Sequence, residues 1–134
     1  MLAIWITEAR EYLRVGGTCP FRDRFASIAD ARAKARIDTA IRKLERGLRP
    51  GVRSVGGGVH EARIDYRPGY RVYFGNDGES LVILLLTGDK RTQDADILTA
   101  RSDWADYRTR KRCHEATGGR PAPTPLSRPN NGDA

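Results

Sequence analysis

The residues best suited to chemistry lie between Gly56 and Phe74, where basic and aromatic side chains are interleaved. This segment contains arginines and tyrosines at Arg63, Arg67, Arg71, Tyr66, Tyr70 and Tyr73. Guanidinium groups hold phosphates and aromatic rings stack on unpaired bases, so this pattern on a sheet is typical of RNA recognition. The loop after the next predicted strand adds Lys90 and Arg91 at one end of the sheet.

The turn that contains Pro68-Gly69 decides which of these side chains share a face of the sheet. A two-residue loop would pair Tyr66 with Arg71 and place Arg63 on the opposite face. A three-residue loop that includes Arg67 would pair Tyr66 with Tyr70. That loop places four residues on one face: Arg63, Asp65, Arg71 and Tyr73. It leaves three residues to face the predicted helices as core: Tyr70, Val72 and Phe74. We favour the three-residue loop for this reason.

Simpler interpretations stay open for several of these residues. Arg63 could form only a surface ion pair with Glu61 or Asp65. His60 and Glu61 are neighbours in a strand, so they point to opposite faces and do not form an acid–base pair. Gly56-Gly57-Gly58 is not followed by Lys-Ser/Thr and is not a phosphate-binding P-loop.

The elements that must position these residues follow from periodicity and turn residues. The pattern predicts strands over 2–7, 59–66, 70–74 and 81–86 and helices over 21–28, 31–46 and 94–107. Asp30 caps the second helix, whose apolar stripe is Ala33, Ile37, Ile41 and Leu44, and Gly47 ends it, while 8–18 is irregular. The strand over 81–86 is apolar on both faces, which predicts a central strand covered on both sides. Asn76-Asp77-Gly78 predicts a hairpin. The fold class is therefore α+β, with an N-terminal helical pair packed on a mostly antiparallel four-stranded sheet, followed by a C-terminal helix.

Composition and charge divide the chain into a domain over 1–108 and a tail over 109–134. The chain has 134 residues, with 24 Lys+Arg against 17 Asp+Glu and a formal net charge of +7. Residues 1–107 have a net charge of +3, whereas 108–134 have +4, so more than half of the excess lies in the last fifth of the chain. The tail is rich in proline, which predicts disorder, and the cluster at 110–112 is interpreted as a solvated helix end.

Several functional classes are excluded or disfavoured by composition. No apolar run approaches the length of a bilayer span, and the N-terminus lacks the layout of a secretory signal, so we expect a cytoplasmic protein without membrane contact. Cys19 and Cys113 lack metal-ligand spacing, and the two histidines are too few for a zinc cluster. The basic excess favours an anionic partner such as nucleic acid.

The same segments resemble the HigB branch of the RelE/ParE toxin superfamily. The resemblance covers residues 20–107 and depends on these segments: Gly56–Phe74, Leu81–Leu86, Gly88-Asp89-Lys90, Thr92-Gln93, Asp96-Ile97 and Trp104-Ala105-Asp106-Tyr107. It implies a small RelE-like fold and the toxin of a type II toxin–antitoxin pair, with a helix-turn-helix, HigA-like antitoxin as partner. Many RelE-like proteins cleave mRNA on the ribosome, so mRNA and the ribosome are the implied substrates.

The resemblance also implies site residues. It matches Arg71 to the arginine of the "GYR" strand, Lys90-Arg91 to the basic pair after the central strand, and Arg63 to the base of the preceding strand. Two positions depart from the family pattern: Glu61 stands where a lysine falls, and Ile97 stands near the position of a tyrosine in the last helix.

Such an RNA cleavage needs no metal or other cofactor. The 2′-hydroxyl attacks the adjacent phosphorus, a dianionic phosphorane forms, and the 5′-oxygen leaves. Arg71 and Arg63 are assigned to the scissile phosphate because forked donors match phosphate oxygens. Two further sets of residues complete the hypothesis: Tyr73 or His60 for proton transfer, and Arg67, Tyr66, Lys90 and Arg91 for RNA contact.

A different class of function is compatible with the same fold. A toxin of the ParE type that inhibits DNA gyrase, or an interaction module for nucleic acid or protein, would keep the architecture without the catalytic set.

Overall fold

The computed structural model describes residues 7–117 and 126–127. Its strands are β1 (Glu8–Glu11), β2 (Val52–Gly56), β3 (Val59–Arg63), β4 (Arg71–Asp77), β5 (Leu81–Gly88) and the two-residue β6 (Leu126–Ser127). Its helices are α1 (Pro20–Ala26), α2 (Ala31–Glu45) and α3 (Gln93–Thr117), with a short 3₁₀ turn over Lys90–Thr92. The predicted α+β class is confirmed.

The strands form one mixed sheet in the order β2-β3-β4-β5-β1-β6. The ladders β2–β3, β3–β4 and β4–β5 are antiparallel, whereas β1 runs parallel to β5. The strand Leu81–Gly88 is therefore central, as its unbroken apolar run predicted, and its backbone groups are paired on both sides.

Both faces of the sheet are covered by helices. The face under α1 and α2 buries Phe21, Phe25, Ile37, Ile41, Leu44, Val72 and Phe74. The face under α3 buries Tyr12, Val59, Tyr73, Ile83, Leu85, Leu86 and Trp104. A register shift in β5 lets Leu85 and Leu86 share the α3 face. The two layers explain why β5 is apolar on both sides.

Helix α2 begins and ends as its capping residues predicted. The Asp30 carboxylate accepts hydrogen bonds from the backbone N–H groups of Arg32 and Ala33, at 2.9 and 3.3 Å. Gly47 follows the helix with a φ of 77°, a left-handed conformation in which glycine has no Cβ penalty. Between the caps, the predicted apolar stripe is buried.

The predictions of a four-stranded sheet and of an irregular stretch over 8–18 were wrong. Residues 2–6 of the strand predicted over 2–7 lie outside the described residues, so that strand stays a prediction. Strand β1 occupies Glu8–Glu11, within the stretch predicted to be irregular. Strand β1 was not recognised in the sequence because it contains charged residues. One of them, Glu11, is buried, and its charge is compensated by an ion pair with Arg22. Strand β2 was also missed, because its half-exposed residues depend on pairing with β3 rather than on periodicity.

The hairpin between β3 and β4 confirms the favoured face but not the favoured pairing. Arg63 pairs with Arg71 and Glu61 with Tyr73, so Arg63, Arg71 and Tyr73 share the α3 face, whereas Asp65 lies beyond the end of the ladder. Tyr66 and Tyr70 stack with centroids 6.4 Å apart instead of pairing across the ladder. The loop is longer than predicted because β3 ends at Arg63.

The C-terminal helix extends past the boundary placed at residue 108. Helix α3 continues to Thr117, so 109–117 are helical rather than disordered, and Leu126–Ser127 pairs with β1. Arg110 donates to the Leu13 carbonyl at 2.6 Å and Lys111 forms an ion pair with Asp77, so the basic cluster is not merely solvated. The other tail residues lie outside the described residues.

Candidate nucleic-acid interface

A row of residues crosses three strands at one end of the sheet. Arg63 at the end of β3 pairs with Arg71 at the start of β4, and Arg71 pairs with Gly88 at the end of β5. Residues paired across antiparallel strands hold their Cβ atoms within about 5.5 Å, so the two arginine side chains leave the same face side by side. Like charges in this position repel, and the row therefore needs an anion nearby.

Arg71 is the most constrained base of this row. Its side chain is 8% exposed, and its Nη1 donates to the Gly69 carbonyl at 2.6 Å. Its Nε lies 3.6 Å from Glu61 Oε2, too long for a hydrogen bond, and has no hydrogen-bond partner among the described residues. The guanidinium is thus fixed in orientation while part of its donor capacity is unused.

Glu61 is the anion that compensates the charge of Arg71. Its side chain is 1% exposed and accepts hydrogen bonds from Arg53 Nε at 2.9 Å and Gln93 Nε2 at 3.0 Å. Burial alone raises the pKa of Glu61, but the hydrogen bonds from Arg53 and Gln93 and the charge of Arg71 lower it overall. Glu61 is therefore ionised at neutral pH and joins β2, β3, β4 and α3.

Three exposed bases surround Arg71 without an acidic partner. Arg63, Arg67 and Lys90 form no hydrogen bond or ion pair with their side chains in the described part of the chain. A Cβ placed at Gly69 would lie 3.5 Å from Arg71 Nη1 and 3.8 Å from Lys90 Cβ, so the two basic loops meet there. The arrangement leaves positive charge available to an anionic ligand.

Arg91, in contrast, is partly compensated. Its side chain is 81% exposed, and its Nη2 donates to Asp89 at 3.0 Å. The hydrogen bond and the charge of Asp89 raise the pKa of Arg91. The Arg91 guanidinium is exposed to solvent, but a phosphate that binds it would have to replace the ion pair with Asp89.

The structure does not bring Tyr73 and His60 to an exposed position beside Arg71. Tyr73 shares the Arg71 face but is fully buried, and its hydroxyl has no hydrogen-bond partner among the described residues. Burial first, and then the Glu61 carboxylate, raise the pKa of Tyr73, so it stays protonated. His60 points to the opposite face, where its ring stacks on Phe74 with centroids 5.5 Å apart.

Replacing His60 is expected to reduce the loss of stability in acid. Burial and then the charge of Arg49 lower the pKa of His60 below its ordinary value. His60 therefore binds a proton more readily in the unfolded state than in the folded state. The stability that neutral His60 contributes is complete above the unfolded pKa and is lost as the pH falls towards the folded pKa. Urea unfolding of wild type and His60→Gln at about pH 7.5 and about pH 5.5 measures this. An equal loss in the two proteins would contradict it.

Tyr66 is occupied on the other side of the sheet. Its hydroxyl donates to Asp30 Oδ2 at 2.9 Å, and the Arg36 guanidinium carbon lies 5.2 Å from its ring centroid. Its predicted role in stacking on RNA bases would require both contacts to break. Arg67, in the adjoining loop, remains exposed.

A second buried ion pair, not predicted from the sequence, joins α1 to α3 behind the basic loop. Both terminal nitrogens of Arg24 lie 3.2 Å from the Asp96 carboxylate, which is 4% exposed and also accepts from Thr92 at 2.6 Å. Any side chain at position 88 would overlap that carboxylate, which explains Gly88. This contact fixes the end of β5 and hence the base of the loop that presents Lys90.

The Gly56-Gly57-Gly58 run serves packing. The side chain of Arg101 covers Gly56 and Gly57, and a Cβ at Gly58 would lie 2.6 Å from Trp104 Nε1. All three glycines have positive φ. The run therefore lets α3 approach the β2–β3 turn closely.

Two further properties concern the described residues only. Within 7–117 and 126–127, no group of three or more His, Cys, Asp or Glu side chains could hold a metal ion. None of the helices in this part of the chain is long and apolar enough to cross a membrane.

Comparison with known proteins places the chain beside a bacterial relative. No family model matches the chain, and no solved structure matches it. An uncharacterized protein of Haemophilus influenzae is 42% identical over 89 residues, which cover 66% of this chain and 90% of that protein. The chain belongs to the same family as this Haemophilus influenzae protein.

Proposed function

We propose that the protein is the toxin of a type II toxin–antitoxin system and cleaves mRNA on the ribosome without a metal. The observation that supports this most is the cross-strand pair Arg63–Arg71, with Lys90 beside it and three bases without acidic partners. Such a row offers several basic side chains to the phosphates of one RNA strand, whereas an isolated ion pair would offer none that is uncompensated.

In this proposal Arg71 binds the scissile phosphate. Its orientation is held by Glu61 and the Gly69 carbonyl, so little reorganisation is needed as charge develops on the phosphorane. Arg63 contacts the same phosphate from the adjacent strand. Lys90, Arg67 and Arg91 hold neighbouring phosphates, where salt-sensitive contacts contribute affinity.

The cleavage reaction needs two proton transfers, and the described side chains contribute less to these than to phosphate binding. Tyr73 is buried and His60 faces away, so we assign deprotonation of the 2′-hydroxyl and protonation of the 5′-oxygen to water or to groups of the ribosome. Dependence on the ribosome follows from this assignment. The partner in the cytoplasm would be a HigA-like, helix-turn-helix antitoxin.

The positions of Tyr73 and His60 favour an alternative function that involves no cleavage. A protein of this fold without an exposed proton-transfer group beside its arginines could bind nucleic acid or a protein without cleaving it, as a ParE-like gyrase inhibitor or an interaction module would. Binding needs the basic row but not the chemistry.

Mapping mRNA 5′ ends after induction of the chain distinguishes these functions. We expect new 5′ ends within translated regions for the wild type and for Arg108→Ala, which removes an exposed base on α3, and none for Arg71→Ala. A DNA-damage response with intact mRNA would contradict the nuclease and support gyrase inhibition. An adjoining reading frame that encodes a helix-turn-helix protein would support the toxin–antitoxin assignment.

A further inference from the structure

A groove separates the C-terminal half of α2 from the edge of the sheet. It has a volume of about 350 Å³ and is bounded by α2, the segment 48–51, the start of β2 and the end of β3. Because β2 is the last strand on its side of the described sheet, no described strand covers this edge.

The floor of the groove is aliphatic. Leu44, Ala62 and Ile64 form its buried base, and Val52 is half-buried above them. Leu48 is 46% exposed and continues the aliphatic surface to the rim of the groove. The surface is thus shaped to receive aliphatic side chains from outside.

The rim of the groove is basic. Arg36 and Lys43 line it with exposed side chains, Arg63 lines it at the end of β3, and Asp65 is the single acid. Lys43 and Arg63 form no ion pair within the described residues, so their charge is uncompensated. An occupant should therefore be acidic.

The lining distinguishes a protein occupant from RNA. No aromatic ring lines the groove, so unpaired bases have nothing on which to stack. Aliphatic pockets flanked by bases instead suit a segment with leucine, isoleucine or valine next to glutamate or aspartate.

We propose that this groove docks an acidic, aliphatic segment of a partner protein. The aliphatic side chains enter between Leu44, Val52 and Ile64, and the carboxylates meet Lys43 and Arg36. The surface is separate from the buried Arg71–Glu61 pair and adjoins the basic row only at Arg63.

The test uses the full chain and a synthetic amphipathic peptide with leucines at helical spacing and glutamates elsewhere. We expect the peptide to shift the backbone NMR signals of Ala40, Leu44, Val52 and Ile64. Fluorescence anisotropy should show Lys43→Glu and Leu48→Ser weakening binding about tenfold or more, which corresponds to about 1.4 kcal/mol. A peptide with lysine in place of glutamate should not bind.

Matched variants separate this groove from general charge attraction. Arg42→Glu changes an adjacent exposed base outside the groove, and Val15→Ser removes another exposed apolar side chain, so both should bind within about twofold of wild type. Absent binding, equal weakening by Arg42→Glu and Lys43→Glu, or signal shifts centred elsewhere would overturn the proposal. A single-stranded RNA that shifts the same signals more strongly than the acidic peptide would overturn it in favour of nucleic acid.

Discussion

Arg71→Ala is expected to reduce ribosome-dependent mRNA cleavage by about a hundredfold or more, the usual effect of removing a preorganised donor from a developing oxyanion. Arg71 is the base whose orientation is fixed, through the Gly69 carbonyl and Glu61. Arg71→Lys restores the charge but not the planar fork, so it should recover only a small part of the activity. Primer extension on mRNA with purified ribosomes measures the cleavage rate.

Two variants at exposed positions distinguish an effect of the site from a general effect of charge, and circular dichroism checks that Arg71→Ala is folded. Arg63→Ala changes an exposed side chain without a partner, so the fold should be unaffected while cleavage falls about tenfold, or about 1.4 kcal/mol of transition-state stabilisation. Arg108→Ala removes the same charge from an exposed position on α3 and should cleave like the wild type. Full activity in a folded Arg71→Ala protein would exclude the proposed role.

The fold was predictable where local signals and packing agree. The stripe of α2, its Asp30 cap and the apolar run of β5 are each consistent with one burial pattern, and all were found as expected. Strands β1 and β2 were not predictable from periodicity. Charged residues in these strands are stabilised by partners that are distant in sequence, as the ion pair with Arg22 stabilises buried Glu11.

The positions of the basic residues in the candidate site could be predicted from the sequence, but the role of the acidic residue Glu61 could not. Alternation along β3 and β4 placed Arg63, Arg71 and Tyr73 on one face, and this was confirmed. The same alternation includes Glu61, yet its burial depends on Arg53 and Gln93, which come from a missed strand and from α3. A carboxylate two residues before Arg63 on that face was the available signal.

Glu61→Ala is expected to destabilise the protein by about 3 kcal/mol or more, because it leaves the buried charge of Arg71 uncompensated. Glu61→Gln keeps the shape and one acceptor oxygen but loses the charge, so about half of that effect should remain. The exposed Glu79 offers a matched control, and Glu79→Gln should unfold like the wild type. Denaturant unfolding at neutral pH gives the free energy of unfolding of the wild type and of each of the three variants.

The pH dependence distinguishes a charge effect from a packing effect of the same size. Hydrogen bonds and neighbouring charges lower the pKa of Glu61 in the folded state despite its burial. Its contribution is therefore complete above the unfolded pKa of about 4.3 and is lost as the pH falls through the lower folded value. The difference in stability between wild type and Glu61→Gln should accordingly shrink in acid. A difference that stays constant from neutral pH to about pH 3 would mean that Glu61 acts by shape alone. The fixed orientation of Arg71 would then need a different cause.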